Sequence, residues 1–176
     1  MSGGSGLLDI ERRAELAFLE RLRGFDELLD IVGAANANTA IVQWKDASNE
    51  AQYPSAYVQA YNMAEYGANT GCYLGGVRLG GVTYIDDDVD KAVCRQFLGA
   101  FRSFAQQIDL VSLLNGTTSA QTVGSYIWFY ACELDIHGTG GNEPYIMDPQ
   151  EGEIGRFMRA NQAIFELTVV CMPSRP

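Results

Sequence analysis

The sequence predicts an α+β fold, a mostly antiparallel sheet with two main helices packed on one face. Three observations carry that expectation. Apolar residues recur every three or four positions in two stretches, near 10–32 and near 89–111. Short runs rich in β-branched and aromatic residues lie between and after them. The resulting order is helix, three strands, helix, two strands, within 176 residues that fit one domain.

Residues 1–6, all Gly and Ser after Met1, read as a flexible tail before a domain spanning 7–176. That start has neither the basic region nor the apolar core of a secretion signal. The first helix carries Ile10, Ala14, Phe18, Leu22, Phe25, Leu29 and Val32 on one stripe. Asp9 is placed to cap it and Gly33 to end it; Gly24 divides it if Asp26 caps a second helix. Residues 34–40 read as a loop. Strands follow at Ile41–Trp44, Ala56–Tyr61 and Val77–Ile85, with a long turn or hairpin tip near 62–76. Gly75-Gly76 and Gly80-Gly81 interrupt the strand signal and mark a bulge or a close backbone approach.

The second long helix is predicted over 88–115 from Val89, Val93, Phe97, Phe101, Phe104, Ile108 and Val111. Asp86, Asp87, Asp88 and Asp90 crowd its start, where the helix dipole favours negative charge, and Asn115-Gly116 stops it. Residues 117–124 read as a polar loop. The run from Tyr126 to Ile136 begins apolar on both faces, which predicts a central strand. A long excursion occupies 137–163 before a last strand from Ala163 to Met172.

Charge and composition exclude several functions. Lys plus Arg number 12 and Asp plus Glu 22, a net charge of −10, which opposes gripping nucleic acid by its phosphates. No apolar run is long enough to span a membrane. The single histidine, His137, removes every two-histidine metal motif. Cys72, Cys94, Cys132 and Cys171 form no C-x-x-C pair and read as reduced thiols, with Cys132 and Cys171 packed and Cys72 in a loop. Gly138-Thr139-Gly140-Gly141 is followed by Pro144 and Pro149, not by the helix a nucleotide loop needs. His137 stands two residues from Asp135, but no G-x-S-x-G elbow accompanies them. The Asp86–Asp90 acids fit a helix cap without a further assumption; a Mg²⁺ or Ca²⁺ site is the competing reading. Ten Arg against two Lys, with nine Tyr and eight Phe, resembles interface composition.

With these elements in order, the chain resembles the phage tail terminator proteins, which are tail-completion, head–tail joining subunits. The resemblance rests on the opening helix Ile10–Val32, the strand entered through Tyr53-Pro54-Ser55-Ala56-Tyr57-Val58, and the closing strand Phe165-Glu166-Leu167-Thr168-Val169-Val170. It covers most of the chain; the loops 62–76 and 137–163 depart from it. The resemblance implies a structural virion protein, not an enzyme, that needs no cofactor and is assembled in the host cytoplasm. It implies a ring of identical subunits, usually a hexamer, seated on the tail tube protein and facing a head connector or neck protein. DNA would pass through the ring without specific binding, and no membrane is involved. Candidate assembly contacts are Tyr66, Cys72, Tyr73, His137, Asn142, Tyr145, Arg156 and Arg159, with the loop 137–163 expected to order on binding. Another neck or baseplate subunit, a small carboxylate- or metal-dependent enzyme using Asp86–Asp90, and a ligand-binding module using the Tyr-rich segment 53–84 are the alternatives.

Overall fold

In the computed structural model of the chain, the described residues are 3–47, 53–122, 126–134, 144–149, 157 and 159–176, with side chains from Asp9 onward. The helices are α1 (Gly3–Leu22), α2 (Asp26–Val32), α3 (Ala37–Ala40), α4 (Ala92–Ala105), α5 (Leu110–Asn115) and α6 (Thr118–Gln121). The strands are β1 (Ile41–Gln43), β2 (Ser55–Glu65), β3 (Tyr73–Tyr84), β4 (Trp128–Leu134), β5 (Tyr145–Met147) and β6 (Ala160–Met172). They form one six-stranded sheet of order β1-β2-β3-β6-β4, with β5 also on β6. Only β1 and β2 run parallel; the other pairs are antiparallel. The fold is α+β, as the element order predicts.

The α1 stripe is buried as its spacing requires: Ile10, Ala14, Phe18 and Leu22 are each at most 3% exposed. The start of the helix differs from expectation. Gly3–Gly6 belong to α1, so residues 3–6 are not a tail and Asp9 lies inside the helix. A helix nucleated by its packed stretch extends cheaply, one hydrogen bond per added residue. Asp9 instead pairs with Arg12 at 2.9 Å and with Arg13 one turn on. The division at Gly24 is present, but Phe25 is the N-cap of α2 and Asp26 sits in its first turn. Gly33, at φ +90°, ends α2, where a side chain would be strained. Residues 34–40 are a 3₁₀ turn followed by α3, not a loop.

The second long helix is two helices. Asp88, 2% exposed, accepts the backbone N–H groups of Val93 (2.9 Å) and Cys94 (3.1 Å) and the Thr83 hydroxyl (3.0 Å). This fixes the helix start at Ala92, with Lys91 left-handed at φ +59°. Gln107 bonds back to the Phe104 carbonyl and the chain turns before α5. Val89 and Ile108 match the period but lie outside both helices and are exposed. Burial alone would raise the Asp88 pKa; the two N–H groups and the Thr83 hydroxyl outweigh it and lower it below 3.8. Its stabilisation is therefore present above that value and lost as pH falls through the folded pKa. Asp88→Ala should cost about 2–3 kcal/mol in urea unfolding at neutral pH, because it removes a cap and strands buried donors. A loss below about 0.5 kcal/mol would contradict the capping role.

Three strand expectations also change. The apolar run at 128–134 makes β4, the end strand of the sheet, not a central one. The expected loop 62–76 narrows to a tip at 66–72, because β2 runs to Glu65 and β3 starts at Tyr73. Within 137–163, Tyr145–Met147 form β5, and β6 already begins at Ala160. Cross-strand pairing such as Tyr145↔Ile164 turns part of the expected excursion into sheet. Residues 118–121 within the expected polar loop form α6, capped by the Thr117 hydroxyl.

Alternation divides the sheet into two faces. Ala56, Val58, Val77, Leu79, Phe165 and Leu167 cluster with Phe18, Leu22, Phe97, Phe101 and Phe104 of the helices. The alternate residues Tyr57, Val82, Ala160 and Ile164 form a separate cluster with Ala47, flanked by Trp44, Tyr53, Tyr145, Met147 and Phe157.

Candidate functional site

The face carrying the second cluster is built by Tyr–Gly pairs. Tyr57 is opposite Gly80, and Tyr61 is opposite Gly76. A Cβ on Gly80 would lie 2.1 Å from Tyr57 Cζ, and one on Gly76 would lie 2.4 Å from Tyr61 Cζ. Both rings therefore lie directly on bare backbone. Gly75 and Gly81 make the same close approach on the other face, to Met63 and Phe97. Both readings hold: all four glycines are places of close approach, and a register shift on β2, between Tyr61 and Ala64, falls opposite Gly75.

Between the tyrosines runs an ion pair. Arg78 donates from Nε (2.9 Å) and Nη2 (2.6 Å) to Glu166 Oε1 and lies 5.4 Å over the Tyr61 ring. The Glu166 side chain is 4% exposed, and its Oε2 has no hydrogen-bond partner among the described residues. Burial lowers the Arg78 pKa, but the bond to Glu166 and its charge more than reverse this, leaving it raised. The Tyr57 hydroxyl donates to Gln162 Oε1 at 3.1 Å, and burial raises its pKa.

Beyond this ladder, the ends of β2 and β3 form an arm. At its tip the Tyr66 N–H donates to the Cys72 carbonyl at 2.7 Å, with Gly67, Asn69 and Gly71 left-handed. Tyr66 is 57% exposed. At the arm's base a cleft of about 220 Å³ is lined by Tyr61, Glu65, Tyr66, Leu74, Gly76 and Thr168.

Side chains of α1, α5 and the turn after α1 close parts of the sheet's edges. Arg23 donates to the Ile41 carbonyl at the β1 edge (2.9 Å). Where β1 stops, Glu15 takes the free N–H of Ala60 (2.9 Å) and accepts from Gln43 (3.4 Å). Asn115 acts as a strand partner to β4: it accepts from the Phe129 N–H (2.7 Å) and donates to the Phe129 carbonyl (2.9 Å). Past the register shift between Phe129 and Ala131, alternation turns the backbone groups of Cys132 and Leu134 to that same outer side. No strand pairs with this side of β4 among the described residues. Tyr130 and Leu134 are exposed there, at 47% and 38%.

Glu15 is held at a cost. Burial raises its pKa to about 7; the Ala60 N–H and Gln43 bonds and Lys45 oppose this, while Glu11 adds to it. The folded state thus binds this proton more tightly than the unfolded chain. The associated stability is complete below 4.5 and lost as pH rises through about 7. Glu15→Gln should be more stable than the native chain above pH 7, by about 1–2 kcal/mol after allowing for partial exposure. Urea midpoints across that range check this; a less stable variant at the alkaline end would contradict it.

Of the candidate contacts, the structure brings together Tyr66, Cys72 and Tyr73 at the arm's end. Tyr73 pairs with Glu65 and Cys171 and is half-buried. Tyr145 lies in β5 against the second cluster. Arg159, just before β6, pairs with Asp86 at 3.4 Å and lies 5.6 Å over the Tyr84 ring. His137, Asn142 and Arg156 lie outside the described residues, as does much of 137–156. All four cysteines are free; Cys72 is half-buried, and burial pushes Cys94 up to about 11 and Cys132 and Cys171 to about 12. Among the described residues no group of three or more His, Cys, Asp or Glu is placed to hold a metal ion. No described helix is long and apolar enough to cross a membrane.

Sequence reading missed Arg78, Glu15 and Asn115. The signal for the first was a lone charge in the strand run Val77–Ile85, facing a lone Glu166 in the closing strand. No protein-family model matches the chain, and no curated protein matches its sequence.

Proposed function

We propose that this chain is a structural ring subunit that closes a phage tail tube and joins it to the head connector, as a tail terminator does. The observation that supports this reading best is the distribution of edge protection. Long bare edges invite pairing with another chain, and folded proteins normally cover them. Here Arg23, Glu15 and Asn115 cover β1, the adjoining part of β2 and the start of β4, while among the described residues no strand pairs with the outer side of Cys132–Leu134. The β2–β3 arm provides a second, unlike surface. Two unlike surfaces on one subunit suit a head-to-tail contact that closes by rotation into a ring. Strand addition at β4 provides the affinity through main-chain hydrogen bonds. The net charge of −10 suits a channel through which DNA slides, because carboxylates repel phosphates.

The test is sedimentation of the native chain beside Leu134→Pro, which removes an outward N–H on the open edge. The native chain should sediment as a closed oligomer of about six subunits. The variant should fold, by circular dichroism, and fall apart to monomers. An equally assembled variant would remove β4 from the contact. A native monomer at every concentration, and also with tube protein, would overturn the ring.

A further inference from the structure

We infer that the outer side of Ala131–Glu133 in β4 pairs antiparallel with the outer side of Tyr61–Ala64 in β2 of a second copy. The inference rests on the ring reading and deepens it by specifying which segments of neighbouring copies meet. β1 covers β2 only at Ala56–Val58, and Glu15 takes the N–H of Ala60. Beyond that point no strand pairs with the outer side of β2 among the described residues. On β4, at the other end of the sheet, Asn115 covers Phe129, and no described strand pairs with that side either.

Level, direction and phase all match across the two edges. Through β6 and β3, Ala131 lies in line with Val170, Leu74 and Ala64, and Glu133 with Thr168, Gly76 and Tyr61. A copy set beside the first, without a shift along the strands, therefore brings one bare stretch against the other. The pairs β2–β3, β3–β6 and β6–β4 are all antiparallel, so β4 runs opposite to β2. Copies that extend one sheet in line keep their strand direction, and the new pair is antiparallel. Hydrogen bonding alternates along such strands. The Ala60 N–H points outward to Glu15 and the Tyr66 N–H inward to Cys72, so alternation from each end turns Asn62 and Met63 outward. Cys132, whose groups also point outward, is level with them through Val169 and Gly75, where a Cβ would lie 2.9 Å from Met63 Cα. Outward groups thus meet outward groups; a slip of one residue would lose this match. The acids of the two edges stay apart despite the net charge of −10. Glu65 is paired with Tyr73, which packs on the helix side of the sheet, whereas Glu133 is paired with Thr168 on the other face.

The test is disulfide trapping of the full chain carrying Ala64→Cys and Ala131→Cys, with Cys72→Ser to remove the thiol at the arm's tip. Ala64 is exposed and Ala131 half-buried, and circular dichroism checks that the variant folds. Within one chain β3 and β6 separate the two positions by three strand spacings, roughly 14 Å. A disulfide needs Cα atoms within about 7 Å, so it can only join two copies. Mild oxidation should give a ladder of linked copies on a non-reducing denaturing gel. Neither single variant should give it, nor Glu65→Cys with Ala131→Cys, whose thiols fall on opposite faces of the joined sheet. An equal ladder from that control would overturn the pairing. Dimers from Ala131→Cys alone would also overturn it, because β4 would then meet β4. No ladder from a sample that sediments as an oligomer would overturn this pairing and leave the ring. No ladder from a chain that stays monomeric, with or without tube protein, would overturn both.

Discussion

Arg78→Met should destabilise the fold by about 3 kcal/mol, seen as a lower urea midpoint with little change in slope. The substitution keeps most of the side-chain volume and removes the charge. Glu166 is then left 4% exposed with no cation. Its Oε2 already lacks a partner among the described residues, so both carboxylate oxygens would be unsatisfied there. The ring contact to Tyr61 contributes a further ~0.5–1 kcal/mol. The double variant Arg78→Met with Glu166→Met should recover most of the loss, because well-packed apolar residues replace a buried ion pair at little cost. A single variant within ~1 kcal/mol of the native chain would contradict this, because it would mean that water already reaches Glu166.

Gly81→Ala should lower stability by about 2–3 kcal/mol and the melting temperature by about 5–10 °C. The new Cβ would sit 2.2 Å from Phe97 Cγ, and Phe97 is fully buried and stacked on Phe101 at 5.8 Å. Gly80→Ala should behave similarly on the opposite face. There the ring that must move is Tyr57, held by Trp44 at 4.8 Å and Phe157 at 5.8 Å. Trimming the obstructing ring provides the specific check: Gly81→Ala with Phe97→Leu should be more stable than the sum of the two single losses predicts. Strict additivity would show that the close approach is not the cause.

These two sites also show what sequence can and cannot reveal. The paired glycines were legible as marks of a bulge or a close backbone approach, because Gly-Gly interrupts a strand run twice. Which rings they meet was not, since this depends on the β2–β3 register. The stripe Ile10–Leu22 was legible because each turn repeats the same demand for burial. The helix over 88–115 was overread because Val89 and Ile108 fit the period while lying in capping and turn segments. Periodicity measures pattern, whereas Asp88 fixed the boundary through bonds to Val93 and Cys94. The apolar run at 128–134 suggested a central strand. In the fold, Asn115 takes the place of a neighbouring strand at Phe129. Of the candidate contacts, Tyr66, Cys72 and Tyr73 lie together at the arm's end because they are close in sequence. Arg78 and Glu166 are 88 positions apart and meet only through the β3–β6 pairing.

In the proposed ring, the outer side of Cys132–Leu134, unpaired among the described residues, and the arm join subunits into a cap on the tube. The most direct measurement is negative-stain imaging of tail-tube protein polymerised with and without this chain, alongside the native mass of the chain alone. A ring-sized mass, rings seated on tube ends and tubes that stop growing are expected. Tubes of unchanged length with bare ends, together with a monomeric mass at every concentration, would contradict the proposed ring.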